Sequence, residues 1–355
     1  LYKKVNVGGV FIGGDAPISI QSMTNIPFSR YDELLKQAKQ LKEAGCDILR
    51  VSVPDNESAE LFSRLKREVD MPLVADIHFD YRLALASIKA GADKIRINPG
   101  NIGKEHIKTV ADEAKRAGIP IRVGVNSGSL EKDILEKYGA PTAEALAESA
   151  MRSCAFLEEC DFDNLVVAIK SSDVRRTVEA YREFDKMNVN RYPLHIGVTE
   201  AGTLKSGLIK NSVGIGTLLL DGIGSTIRYS LSASPLEEVL AAKILLRSLG
   251  LRNTGVEIVA CPTCGRTTVN VSELADDLAV RLSDIKKPMK VAVMGCVVNG
   301  VGEAGDADIG VTGADGKYVV FVPGDGVKPK TVLKDANKTD ACEFVVNYCR
   351  KNDAK

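Results

Sequence analysis

The sequence predicts an α/β fold: a (β/α)8 TIM barrel followed by a smaller α/β domain. Three observations carry that expectation. Up to about residue 250 one alternation recurs, a short β-branched run, a polar or Gly-rich break, then an apolar pattern of helical period. Several helical patterns stop at Ala-Gly (Ala44-Gly45, Ala90-Gly91, Ala117-Gly118) and lead straight into the next β-branched run. Gly is the residue that most readily takes a left-handed C-terminal cap, so each stop has a mechanism. Finally, no G-x-G-x-x-G follows the first strand, as an open dinucleotide-binding sheet would require.

Strands are expected at 18–23, 48–53, 73–77, 94–97, 121–125, 165–169, 194–198 and 226–231, with helices between them at 33–44, 58–69, 82–90, 105–117, 143–159 and 174–187. Eight such units in this length are what a barrel needs. A helix at 236–249 closes the ring, and 250–255 reads as the hinge, dividing the chain into 1–250 and 251–355. Past the hinge come a Cys-bearing turn, a helix at 272–282, a strand at 289–293, a second Cys turn and a polar tail.

Composition narrows the function. With 45% apolar and 26% charged residues among 355, the chain has material for a large core. Lys+Arg and Asp+Glu are equal at 47 each, so no global field draws nucleic acid or an anionic membrane. Trp is absent and aromatics reach only 5%, which argues against a base-stacking platform. No apolar run approaches the roughly 18–20 residues that span a bilayer, and Leu1-Tyr2-Lys3-Lys4-Val5-Asn6 lacks a signal peptide's apolar core. A cytoplasmic location is the expectation. Eight cysteines there read as thiols, ligands or catalysts before disulfides. Cys46, Cys154, Cys160, Cys342 and Cys349 lie in apolar helical patterns and read as packed thiols.

In a barrel, the active site lies at the C-terminal ends of the strands. Here those positions carry Arg50, Asp76, His78, Arg96, Asn98, Arg122, Asn126, Lys170, Glu200, Arg228 and Ser230. Asp76/His78, Arg96/Asn98 and Arg228/Ser230 are spaced two apart, so each pair shares one face of its strand. Four arginines and a lysine from five strands repel one another and need an anion. Guanidinium forks suit phosphate oxygens, and five cations fit a diphosphate better than one carboxylate. Asp76 and Glu200 can offset part of that charge, and Glu200 is also a candidate acid–base group.

The second constellation lies near the C-terminus. Cys261-Pro262-Thr263-Cys264-Gly265-Arg266 is a C-x-x-C turn, and Cys296 follows Met294-Gly295 at the next strand end. A structural zinc site wants a fourth Cys or His at matching spacing, and none follows Cys296. A redox dithiol wants the pair at a helix start in another fold. Three cysteines are one short of an all-Cys [4Fe–4S] set. Glu303 offers a carboxylate just downstream. An iron–sulfur cluster, zinc and packed thiols all remain open on residue types alone.

Taken together, these motifs resemble the bacterial (E)-4-hydroxy-3-methylbut-2-enyl diphosphate synthases of the non-mevalonate isoprenoid pathway. The likeness runs from Gly14-Asp15-Ala16-Pro17-Ile18-Ser19-Ile20-Gln21-Ser22-Met23-Thr24-Asn25 through Ala75-Asp76-Ile77-His78-Phe79-Asp80 and Arg96-Ile97-Asn98-Pro99-Gly100-Asn101-Ile102-Gly103. It continues with Thr199-Glu200-Ala201-Gly202, Leu220-Asp221-Gly222-Ile223-Gly224, both Cys segments and Asn299-Gly300. The resemblance implies reductive ring opening and dehydroxylation of 2-C-methyl-D-erythritol 2,4-cyclodiphosphate, with electrons from ferredoxin or flavodoxin. It implies a [4Fe–4S] cluster on Cys261, Cys264, Cys296 and Glu303. It places Arg50, His78, Arg96, Arg122, Asn126, Lys170, Glu200, Arg228 and Ser230 in the substrate site. It also implies a homodimer in which one subunit's cluster domain closes over the other's barrel.

This chain departs from the family's pattern twice: Val301 replaces a Pro before Gly302-Glu303-Ala304, and Ile26-Pro27-Phe28-Ser29-Arg30 replaces a polar stretch. Two other readings compete. One is a pterin-synthase-like barrel enzyme acting on a phosphorylated substrate, with a structural zinc module. The other is an electron-transfer or cluster-carrier protein, which leaves the five cations unexplained.

Overall fold

The chain begins with an antiparallel hairpin, β1 (Val5–Val7) and β2 (Val10–Ile12), turned by Gly8 and Gly9 at φ of 56° and 96°. The computed structural model describes residues 1–98, 102–300, 306–324 and 330–354, in two units, Leu1–Arg252 and Asn253–Lys355.

After the hairpin, the first unit has eight parallel strands: β3 (Ser19–Met23), β4 (Ile48–Ser52), β5 (Leu73–Asp76), β6 (Lys94–Ile97), β7 (Ile121–Asn126), β8 (Leu165–Lys170), β9 (His195–Ile196) and β10 (Thr226–Ile227). Their spatial order is β8-β7-β6-β5-β4-β3-β10-β9, and a parallel bridge between Val167 and Leu194 joins the two ends into a barrel. Helices α1 (Tyr31–Ala44), α2 (Asn56–Glu68), α3 (Tyr81–Lys89), α4 (Lys104–Ala117), α5 (Lys132–Tyr138), α6 (Ala143–Glu159), α7 (Val174–Met187), α8 (Leu204–Leu220) and α9 (Pro235–Ser248) accompany the strands. Local chemistry sets their ends. The Asp55, Thr142 and Asp173 side chains accept from backbone N–H groups in the first turns of α2, α6 and α7. Gly45 and Gly118 are left-handed caps of α1 and α4.

Alternation along the strands decides the burial. Leu49, Val51, Ala75, Ile95, Ile97, Val123, Val167 and Ile169 join the main core with helix residues such as Leu34, Phe62, Leu157 and Phe184. The segment at 26–30 joins it too, with Phe28 buried and Ile26 packed against the same core. The alternate positions Ile48, Val74 and Val166, at the strands' N-terminal ends, pack with Val5, Val7 and Ile12 of the hairpin. The hairpin thus seals the barrel floor. Further up the same strands, the alternate residues are charged.

The second unit contains β11 (Val256–Ala260), α10 (Val271–Arg281), β12 (Met289–Met294), α11 (Val297–Gly300), β13 (Ile309–Ala314), β14 (Lys317–Val322), β15 (Lys330–Ala336) and α12 (Lys338–Asp353). Its sheet runs β11-β12-β13-β14-β15, with β11, β12 and β13 parallel and the last two pairings antiparallel. The segment expected as a polar tail is instead three strands and a helix. Their apolar residues, among them Val311, Val320, Val345 and Cys349, complete a core with Leu274, Leu278 and Val291.

Gly310 on β13 faces Phe321 on β14, and a Cβ there would lie 2.2 Å from the phenyl Cζ. Gly310→Ala is expected to destabilise this unit by about 1–3 kcal/mol through overpacking. The check is urea unfolding, with a lower midpoint at constant m-value; an unchanged midpoint would show that the ring moves aside freely. Among the described residues, no helix is long and apolar enough to cross a membrane.

Candidate active site

The charged interior of the barrel is built one strand at a time. Arg50 comes from β4, Asp76 from β5, Lys94 and Arg96 from β6, Arg122 from β7 and Lys170 from β8. Arg228 follows β10, and its N–H continues the ladder by donating to the Ile196 carbonyl at 3.1 Å. Lys94, Arg122, Lys170, Arg96 and Arg50 are all buried, at 0%, 2%, 5%, 7% and 8% exposure. Each would be costly alone, and burying several together is costlier.

The charge compensation within the chain is thin. Arg96 Nη1 lies 3.2 Å from Asp76 Oδ1, and Arg50 Nε lies 3.9 Å from Asp76 Oδ2. Among the described residues, Arg50 otherwise donates only to the Met23 thioether, from Nε at 3.1 Å and Nη2 at 2.9 Å, and sulfur is a weak acceptor. Arg228 Nη2 reaches Glu238 Oε1 at 3.5 Å. Arg96 Nε, Arg122 Nε and Nη1, and Arg228 Nε are buried without an acceptor among the described residues. Buried donors on strands spread around the ring are left for an anion with several oxygens.

The electrostatics follow from this geometry. Burial opposes ionisation of Asp76, but Arg50 and Arg96, helped by His78 and Arg122, outweigh it and hold the carboxyl below its ordinary value. Burial, reinforced by Arg122, Arg228 and Arg50, drives the Lys170 ammonium well below the usual lysine range. Gly124, on β7, makes room for the arginines: a Cβ there would stand 3.2 Å from Arg96 Nε and 3.3 Å from Arg122 Nη2.

The other expected residues fall around the mouth. Asn126 ends β7, and Asn98 Nδ2 donates to Ser129 Oγ at 3.0 Å in the next loop. His78 is exposed just beyond β5, and Ser230 is half-buried beyond β10. Glu200 is exposed in the loop after β9 with φ of 50°, a left-handed conformation that a non-Gly residue adopts at some expense. Such strain is a recurrent mark of functional loops.

Two interior residues escape sequence reading. Glu238 is buried on α9, accepting from Ser22 Oγ and the Leu231 N–H, both at 3.1 Å. In the sequence it looks like an ordinary acidic residue near a helix start. Lys94 looks like a strand-edge lysine, yet it sits two residues before Arg96 on the same face.

The cysteines lie at the ends of β11 and β12 in the second unit. The register pairs Ala260 with Val293, so Cys261 and Cys296 leave neighbouring parallel strands at the same edge. The Cys261 N–H donates to the Val293 carbonyl at 3.1 Å, and the Gly295 N–H donates to Cys261 Sγ at 3.1 Å. The Cys264 N–H donates to Thr267 Oγ1 at 3.1 Å, and the Thr268 N–H to the Gly295 carbonyl at 3.0 Å. A Cβ on Gly295 would lie 2.7 Å from Thr267 Oγ1, so this close approach of the two loops needs glycine.

Cys261 is half-buried, Cys264 exposed and Cys296 buried. Among the described residues, no three His, Cys, Asp or Glu are grouped as one metal ion would require. A cluster spreads its ligands over several iron atoms, and Cys261 and Cys296 at neighbouring strand ends, with Cys264 in the adjoining turn, fit that demand. Glu303 and Val301 lie outside the described residues. The remaining cysteines contrast with this set: burial pushes the Cys46 thiol up to about 12 and Cys349 to about 11, and raises Cys154 as well. These are inert packing thiols.

Comparison with known proteins decides the family. The model of the GcpE TIM-barrel domain matches residues 2–243, and that of the GcpE protein C-terminal domain matches 257–348. The chain belongs to the GcpE family. Among its GcpE relatives, the 4-hydroxy-3-methylbut-2-en-1-yl diphosphate synthase (flavodoxin) of Caldanaerobacter subterraneus subsp. tengcongensis is 54% identical over 325 residues, covering 91% of each chain. The protein of the same name from Thermodesulfovibrio yellowstonii is 49% identical over 350 residues, covering 98% of each. The dihydropteroate synthase of Stenotrophomonas maltophilia shares the barrel, with a TM-score of 0.51 over 70% of this chain and 99% of its own. At 13% identity that likeness concerns the fold alone.

Proposed function

We propose that this GcpE chain reductively opens and dehydroxylates 2-C-methyl-D-erythritol 2,4-cyclodiphosphate to (E)-4-hydroxy-3-methylbut-2-enyl diphosphate, a step of isoprenoid biosynthesis. Its cofactor is a [4Fe–4S] cluster, and its electrons come from flavodoxin, which the relatives' names carry, or ferredoxin. The observation that carries this reading is the barrel's surplus of buried cations, with guanidinium donors left unpaired among the described residues. A cyclic diphosphate supplies the missing charge and several oxygens at once.

In this reading Arg50, Arg96, Arg122, Lys170 and Arg228 hold the phosphates, and His78, Asn126 and Ser230 fix the ring at the mouth. Cys261, Cys264 and Cys296 hold the cluster, with Glu303 as its exchangeable fourth ligand. When bound, the cluster supplies single electrons and a Lewis-acidic iron with one replaceable position. Glu200 holds the proton that leaves with the departing hydroxyl as water, and its strained loop keeps the carboxyl at the rim. Glu238 orients Arg228 and the backbone at Leu231.

The chain works as a homodimer. The exposed apolar rows Ile209, Val213 and Leu220 on α8, and Leu240 and Ile244 on α9, support a second copy packing there.

Glu200→Gln is expected to keep the iron–sulfur spectrum and the affinity for the cyclodiphosphate while losing turnover. Wild-type turnover in that variant would remove Glu200 from the chemistry. The decisive experiment is anaerobic purification, iron and acid-labile sulfide analysis, and turnover of the cyclodiphosphate with a chemical reductant. Stoichiometric zinc without sulfide would overturn the proposal.

A further inference from the structure

The amine of Lys94 is fully buried, and among the described residues its one hydrogen bond goes to Gln21 Oε1 at 3.3 Å. An ammonium has three protons to place, and a single neutral amide oxygen does not satisfy it. The surroundings make protonation harder. Arg122 and Arg50 press on Lys94 electrostatically, and Arg96 stands two residues along on the same face of β6.

The other interior groups do not relieve it. Arg228 beyond β10 is a further cation, and Lys170 from β8 is under the same pressure from burial and the arginines as Lys94. His195 on β9 is fully buried, with neither ring nitrogen partnered among the described residues. The two interior carboxylates are committed elsewhere, Asp76 to Arg96 and Arg50, and Glu238 to Ser22, Leu231 and Arg228. Arginine does not give up its proton in a protein, so the strain of crowding falls on the lysines.

We propose that Lys94 is an unassigned, proton-coupled member of the substrate site, neutral in the protein alone and protonated once a diphosphate occupies the cations beside it. This rests on the functional reading above. Burial, with Arg122 and Arg50, holds its basicity well below the ordinary lysine range. A bound diphosphate brings two negative charges into the same interior and reverses the local field, so the amine takes a proton from solvent. Substrate charge is thereby balanced partly by a proton and not only by fixed cations. The sign is definite: between the free and bound basicities of Lys94, affinity falls as pH rises, by up to tenfold per pH unit for one proton.

The cyclodiphosphate suits the test, because each of its phosphorus atoms carries a single ionisable oxygen and does not titrate near neutrality. Its binding is measured calorimetrically at about pH 8, in HEPES and in Tris, which differ in ionisation heat, for the wild type, Lys94→Met and Lys94→Gln. The wild type is expected to take up close to one proton more per substrate than either variant, with a steeper loss of affinity as pH rises. Lys170 and His195 are present in all three proteins, so the difference reports Lys94.

Equal uptake in the wild type and a folded variant overturns the coupling and leaves the functional reading standing. If neither variant folds, absence of buffer dependence in the wild type still overturns the coupling, and Lys94→Arg, which keeps the charge but cannot titrate, supplies the comparison: uptake lower than the wild type's by about one proton supports the coupling and equal uptake overturns it. No binding heat in any protein overturns the functional reading, and the coupling with it.

Discussion

Cys296→Ser is expected to remove the iron–sulfur chromophore and to lower turnover by more than about a thousandfold, the scale on which loss of an essential group acts. The reason is positional. Cys296 lies at the end of β12, beside the loop in which the Gly295 N–H supports Cys261, so these two proposed ligands share one sheet edge and one loop contact. Serine keeps the shape but offers a hard, far less acidic oxygen where a soft thiolate is wanted. Cys154→Ala is the control. That thiol is buried in α6 with its basicity raised by burial, and its loss should leave the chromophore intact. Metal and sulfide content with visible absorbance under anaerobic conditions separates the outcomes. A chromophore retained in Cys296→Ser would place the cluster elsewhere.

The second large effect separates binding from stability. Arg122 is buried on β7 with Nε and Nη1 unpartnered among the described residues, so it strains the protein alone while being ready for an oxyanion. Arg122→Met removes one charge-assisted contact, about 1.5–3 kcal/mol, and should weaken cyclodiphosphate binding by roughly ten- to a hundredfold. It also relieves desolvation and repulsion from Arg50 and Arg96, so the urea midpoint should hold or rise. Calorimetric titration beside a denaturation curve tests both halves. A fall in stability together with unchanged affinity would make Arg122 a structural residue.

The sequence and the structure agree where a residue's role is local. The β-branched runs and Ala-Gly stops mark the barrel strands to within a few residues, because strand period and left-handed caps are short-range physics. Arg50, Arg96, Arg122 and Lys170 are conspicuous because a charge is out of place in a barrel strand. Agreement fails where the role is made by distant partners. Glu238 becomes an interior counter-charge only because α9 packs on β3 and brings it to Ser22. Lys94 becomes interior only through its place on β6.

Two hairpins carry a turn signature in the sequence without a strand period to accompany it. Gly8-Gly9 between Val-Asn-Val and Val-Phe-Ile has the two-residue turn signature, as does Asp315-Gly316, at φ of 49° and 76° between β13 and β14. In the first case the strands have three residues each, too short for period to register. In the second, polar and glycine residues around the turn hide the alternation of β13 and β14.

The plugged floor carries a consequence for traffic. With Val5, Val7 and Ile12 packed against Ile48, Val74 and Val166, the barrel is stoppered at its N-terminal end. Substrate, product and the released water are left the opposite end, the mouth that the arginines line. Anything that bars this opening stops arrival and departure together, so a tight phosphate mimic lodged there would trap the enzyme in whichever state it met.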